Sequence, residues 1–145
     1  ISLILLRIDG YEAHTPVRAR EVLKKAARSL AGGVHRPGDL IAASAEGELA
    51  VVLSETDESG ARHVAHRLRE LVSAAGLRWP ERNGGAVSIS IGGCVSQPAE
   101  LYRKMRGARH DKKTPVYHLL IEAAAHEAAE AVRSGSGVAF AVRTL

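Results

Sequence analysis

The run Ile1–Ile8 is apolar except at Ser2 and Arg7, and this feature constrains the fold most. A half-exposed strand alternates polar and apolar residues, whereas a continuous apolar run reads as a strand buried on both faces. Such a strand needs neighbours on either side and cover above and below. The rest of the chain is patterned to supply them. Thr15-Pro16 predicts a helix start, with Thr as N-cap and Pro at the first helical position. Val17, Leu23, Ala26, Ala27 and Leu30 follow at helical spacing, and Gly32-Gly33 closes the helix. Asp39–Ala45 and Leu49–Leu53 are short apolar runs separated by Glu46-Gly47-Glu48, which reads as a hairpin. Glu58–Ala75 is a second amphipathic helix, with Val64, Leu68, Leu71 and Val72 inward and Gly76 at its end. Ala86–Val95 alternates Ser with Val and Ile in a strand, where Gly92-Gly93 predicts a bulge or a close backbone approach. A polar stretch over 97–116, an Ala-rich helix near 117–134 and a strand at Val138–Val142 complete the chain.

The order β-α-β-β-α-β, with a further α-β appended, is the split βαβ pattern. The expected class is α/β (α+β): a ferredoxin-like or palm-like core on a central, mainly antiparallel sheet. In that topology the first strand lies antiparallel beside the strand closing the hairpin, so Arg7–Asp9 approaches the turn at Ala45–Glu48. No internal repeat and no second domain is evident, so residues 1–145 read as one domain. The chain begins inside an apolar run, with no initiator Met and no basic leader. It reads as a piece of a larger protein and not as a signal peptide.

Composition excludes several functions. With 46% hydrophobic and 25% charged residues, the 145-residue chain has the make-up of a globular domain. Its one cysteine, Cys94, allows neither an internal disulfide nor a thiolate metal cage. No apolar run approaches the roughly 18 residues of a membrane span. The net charge of +4 is local. Arg103, Lys104, Arg106, Arg109, Lys112 and Lys113 face only Asp111 within 103–113, a net of +5, and the remaining residues sum to −1. A nucleic-acid domain spreads its cations over a face, and at 3% aromatics stacking platforms are few. Nucleic acid is therefore not an expected partner, and the segment reads as a solvated basic loop with Trp79 as a partly buried anchor beneath it.

Five pieces of the chain, in order, resemble the GGDEF domain, the diguanylate cyclase family that makes cyclic di-GMP from two GTP. Leu6-Arg-Ile-Asp-Gly-Tyr11 stands where the family has Asp-x-Asp-x-Phe. Arg36-Pro-Gly-Asp39 followed by Leu40–Leu53 matches the stretch from its RxxD motif through the signature hairpin. Ala65–Arg69 resembles the AERLR of its second long helix, Val87–Gly93 its VSIG strand, and Ala124–Arg133 its ADxALYxAK helix. In active members two carboxylates hold divalent metal against the GTP phosphates, neutralising charge during phosphoryl transfer. By the resemblance those positions are Arg7 and Gly47 here. The signature glycines are Ala45 and Glu46, followed by Gly47, Glu48 and Leu49, and the basic residue before them is Ala43. The loop after the first strand is about four residues short and lacks the family's nucleotide-contacting residues. The resemblance thus implies a degenerate member with no catalytic residues, no metal and no cofactor. Asp9, Glu46 and Glu48 are the carboxylates left near the site.

One family motif survives. The resemblance makes Arg36 and Asp39 the RxxD that binds cyclic di-GMP, with Arg67 or Arg69 as the helix arginine. The chemistry suits a guanine nucleotide: an arginine fork pairs with guanine O6/N7 or with phosphate, and a carboxylate accepts from guanine N–H. The same four residues also make a plain turn with Pro and Gly at its centre, in which an Arg–Asp pair is worth only about 0–1 kcal/mol. Two functions therefore stand side by side: a silent regulatory domain that binds cyclic di-GMP, and a ligand-free protein-interaction or dimerisation module. Either implies the other domains of a parent protein as partners, with a homodimer as a further assembly and a cytoplasmic location. His63 and His66, three apart on a helix, read as a solvated face, and Cys94 as a small core residue.

Overall fold

The computed structural model describes residues 1–81, 84–95, 124–126, 129, 130 and 133, and the backbone of 138–142. Strands are β1 (Ser2–Ile8), β2 (Leu40–Ala45), β3 (Glu48–Leu53), β4 (Ile89–Val95) and β5 (Val138–Val142); helices are α1 (Pro16–Ala31) and α2 (Glu58–Ala74). The sheet order is β2-β3-β1-β4-β5. All neighbours pair antiparallel except β4 and β5, which run parallel. β1 thus sits between β3 and β4, and α1 and α2 each connect two parallel strands across an intervening one. This is the α+β, palm-like architecture that the strand and helix pattern predicts.

The central position of β1 follows from its sequence. Ile4, Leu6 and Ile8 join one core cluster with α1 and α2, while Leu3 and Leu5 join a second cluster with Cys94 and Ala124. Alternate side chains point to opposite faces, so a strand without polar alternation fits only where both faces are covered. Helical residues around Ala124 contribute that second cover, and Cys94 is a fully buried part of it.

α1 buries Ala19, Val22, Ala26 and Leu30, a stripe at spacings of three and four. Thr15 occupies its N-cap position but makes no side-chain capping bond, and Gly32 ends it in a right-handed conformation. The start is set by Pro16, whose fixed φ is pre-formed for a first helical turn. α2 is capped by its side chain: Asp57 accepts from the Gly60 N–H at 2.8 Å. It buries Ala61, Ala65, Leu68 and Val72.

Gly92 and Gly93 carry no bulge against β1. The β4 register runs unbroken from Ser2↔Val95 to Ile8↔Ile89, and the irregularity lies in β2 between Ala43 and Ala45. Residues 86–88 precede β4, with Ala86 bridging Arg78. Trp79 is buried and stacks on the His14 ring, centroids 3.6 Å apart. The basic segment 103–113 and most of 117–134 lie outside the described residues.

Candidate functional site

Charged side chains gather at two places: the end of β1 beside the hairpin turn, and the turn that enters β2.

At the first, register brings Arg7 opposite Glu48 on β3 and opposite Ser90 on β4. The Ile8 N–H donates to the Gly47 carbonyl at 2.9 Å, which closes the strand end against the turn. The approach of Arg7–Asp9 to Ala45–Glu48 is therefore present as the topology predicts. Each charged group there already has a partner. Arg7 Nη2 lies 3.4 Å from Glu48 Oε2, and the Glu48 side chain is only 8% exposed. Asp9 accepts from Ser88 Oγ at 2.6 Å and from Ser90 Oγ at 2.8 Å. Glu46 is exposed and 3.6 Å from Arg20. Gly47 has φ +73° and the Tyr11 ring packed against it, so a Cβ there would fall 2.6 Å from Tyr11 Cγ. These residues do not fit a divalent cation. One site position carries a guanidinium, the other has no side chain and is roofed by an aromatic ring, and the carboxylates diverge to separate partners. Among the described residues no group of three or more His, Cys, Asp or Glu converges on one point.

At the second place, Arg36-Pro37-Gly38-Asp39 forms a turn closed by the Asp39 N–H donating to the Arg36 carbonyl at 3.0 Å. A Cβ on Gly38 would collide with Ser54 Oγ, so glycine lets this turn lie against the end of β3. Asp39 Oδ1 fixes the contact by accepting from the Ser54 N–H at 3.1 Å. Beside the turn is a cavity of about 470 Å³ lined by Arg36, Asp39 and His35 from the turn side and by His63, Val64 and Arg67 from α2. Small-molecule sites span about 300–1,000 Å³. Arg69 is two residues beyond Arg67, roughly 200° further round the helix, and does not line this cavity. His66 is exposed and likewise outside it.

The sequence points to Arg36, Asp39 and a helix arginine but not to His35, whose Nε2 lies 2.8 Å from Arg67 Nη2. The partnership of Ser88 and Ser90 with Asp9 spans about eighty residues and leaves no local signal. A third cluster was also invisible: His14 Nδ1 lies 2.8 Å from Glu81 Oε1, with Arg18 3.6 Å away. The His14 hydrogen bond holds the Glu81 carboxyl below the usual carboxylate range, and partial burial opposes the shift.

The family model for the diguanylate cyclase GGDEF domain matches residues 18–113. The chain belongs to the GGDEF family. Solved GGDEF structures share its fold. Diguanylate cyclase SiaD from Pseudomonas aeruginosa, in complex with its activator SiaC, is 20% identical with a TM-score of 0.70, over 98% of this chain and 49% of that one. This chain therefore spans about half of SiaD. The GGDEF domain of DgcB from Caulobacter crescentus, in complex with c-di-GMP, is 18% identical with a TM-score of 0.72, over 96% of this chain and 76% of that one. The LapD S helix-GGDEF-EAL protein of Vibrio cholerae, bound to c-di-GMP, is 14% identical with a TM-score of 0.68, over 97% of this chain and 30% of that one. A comparison with curated proteins finds no match. No helix among the described residues of this GGDEF domain is long and apolar enough to cross a membrane.

Proposed function

We propose that this GGDEF domain is a catalytically silent regulatory module of a larger bacterial signalling protein, and that it binds cyclic di-GMP at the Arg36–Asp39 turn. The observation that carries the reading is the cavity in which Arg36, Asp39 and Arg67 converge from two elements. Two guanidiniums suit a ligand bearing two phosphates and two guanines, because each fork makes charge-assisted, two-point contacts. Silence is supported at the other end of the sheet. Arg7, paired with Glu48, and Gly47, beneath Tyr11, occupy the positions where the family's active members carry metal carboxylates. The module would act in the cytoplasm through neighbouring domains of its parent, alone or as a homodimer.

Calorimetry on the purified chain tests this. Cyclic di-GMP should bind, and Arg36→Ala should weaken it by about 2 kcal/mol, the loss of a charged hydrogen-bonded pair. Arg67→Ala should weaken it comparably, and Arg69→Ala much less. Incubation with GTP and Mg²⁺ or Mn²⁺ should yield no cyclic di-GMP. Product above background would refute silence, and binding that survives both Arg36→Ala and Asp39→Asn would place the ligand elsewhere. One observation favours the ligand-free interaction module instead: Asp39 Oδ1 is already engaged by the Ser54 backbone, as in a purely structural turn. Absence of binding near 100 µM ligand, a binding free energy weaker than about −5.5 kcal/mol, would make that the better account.

A further inference from the structure

Besides its arginines, the cavity at the Arg36–Asp39 turn holds two imidazoles, His35 and His63. His63 stands one helical turn before Arg67 on α2, and His35 immediately precedes Arg36. The contact between His35 Nε2 and Arg67 Nη2, at 2.8 Å, has a chemical consequence. A guanidinium carries only N–H donors, so the imidazole nitrogen facing it has to be the acceptor. His35 is therefore neutral in this contact, with its own proton on Nδ1, a tautomer assigned here from the partner's chemistry. Once protonated at Nε2, His35 cannot accept, and two cations at that separation repel.

We infer that cyclic di-GMP binding at this cavity is linked to protonation of His35: the neutral ring holds Arg67 to itself, and the protonated ring releases Arg67 and adds its own charge towards the ligand's phosphates. This rests on the cyclic di-GMP reading above. Among the described residues, the charged and titratable groups that line the cavity with His35 are Arg36 and Asp39 on its own turn and His63 and Arg67 on α2; Thr56 and Ser59 add hydroxyls. Guanidinium and carboxylate groups keep their charge between about pH 6 and 8, while imidazole is the side chain that changes charge in that window. At the alkaline end the cavity offers two guanidiniums, one of them tied to His35. At the acid end Arg67 is free and imidazolium charge is added. A dianionic ligand favours the second state, so binding takes up a proton.

The experiment is calorimetric titration of the chain with cyclic di-GMP at about pH 6 and about pH 8, at one ionic strength because exposed charges are screened by salt. Binding should be about five- to tenfold tighter at the acid end. Repeating it in buffers of different ionisation enthalpy should show net proton uptake. His35→Gln keeps an uncharged acceptor for Arg67 and should make affinity flat across the range. His63→Gln should leave most of the slope in place. Equal affinity at both pH values in the unsubstituted chain, or a slope that survives His35→Gln, would overturn the linkage while leaving ligand binding intact. No binding at any pH would instead sink the cyclic di-GMP reading, and the linkage with it.

Discussion

At Gly47 the backbone takes φ +73°, and the space a side chain would enter is filled by the ring of Tyr11. Both facts oppose a carboxylate there. A non-glycine residue in the left-handed region costs about 1–2 kcal/mol, and forcing atoms into a packed contact adds about 1–3 kcal/mol. Gly47→Asp is therefore expected to lower unfolding stability by about 2–4 kcal/mol, read as a shift in the urea midpoint. An unchanged midpoint would mean that Tyr11 swings away freely. Arg7 belongs to the same replacement: opposite Glu48 on the neighbouring strand, it gives the buried carboxylate a cation. Such a pair is strongly destabilising to break from one side only, because a buried charge is left uncompensated.

Between elements, the His14–Trp79–Glu81–Arg18 cluster ties the β1–α1 connection and the first turn of α1 to the segment between α2 and β4. His14 stacks flat on Trp79 and also holds Glu81, whose Oε2 is buried without a partner among the described residues. Because the Glu81 carboxyl is held below its ordinary value in the fold, its contribution to stability is fully present above the ordinary carboxylate range. It is lost as pH falls through the lowered value. Glu81→Gln should accordingly unfold at lower denaturant than the unsubstituted chain at neutral pH, with the two midpoints converging as pH falls through the lowered carboxyl value. A gap that keeps its size as pH falls would show that Glu81 acts through packing and not through charge.

Across the whole molecule, the sheet carries a core cluster on each face among the described residues, and the smaller depends on sequence that is distant from it. Leu3, Leu5 and Cys94 are covered by helical residues around Ala124, which is itself fully buried. Placing a carboxylate at that point leaves a buried, unpaired charge, a change that costs several kcal/mol. Ala124→Asp should therefore open the second face, and the measure is Cys94. Its thiol should resist a disulfide reagent in the unsubstituted native protein and react readily in the variant. Equal reactivity in both would mean that this cover does not protect the sheet.

Much of this architecture was legible in sequence because it rests on local patterns. The apolar run of β1, the 3.6-residue stripes of α1 and α2, and the Glu46-Gly47 turn each act within a few residues, so element order, and through it the pairing of β1 with β3, followed from them. The Arg36-Pro-Gly-Asp39 motif was legible too, since its spacing to the hairpin is linear. Thr15 stands at the N-cap position as expected but makes no side-chain bond there, and of the two readings of Gly92-Gly93 the bulge is absent, because β1 and β4 pair through both. What linear order does not contain is which side chains meet across the sheet. Asp9 and Ser90 are eighty-one residues apart, His14 and Glu81 sixty-seven, and His35 and Arg67 thirty-two. Residue types alone made Arg67 and Arg69 equal candidates. The tertiary structure separated them, because the rotation of α2 against the β2 turn is set by burial of Ala61, Ala65, Leu68 and Val72, and that rotation turns Arg67 towards Arg36 and His35.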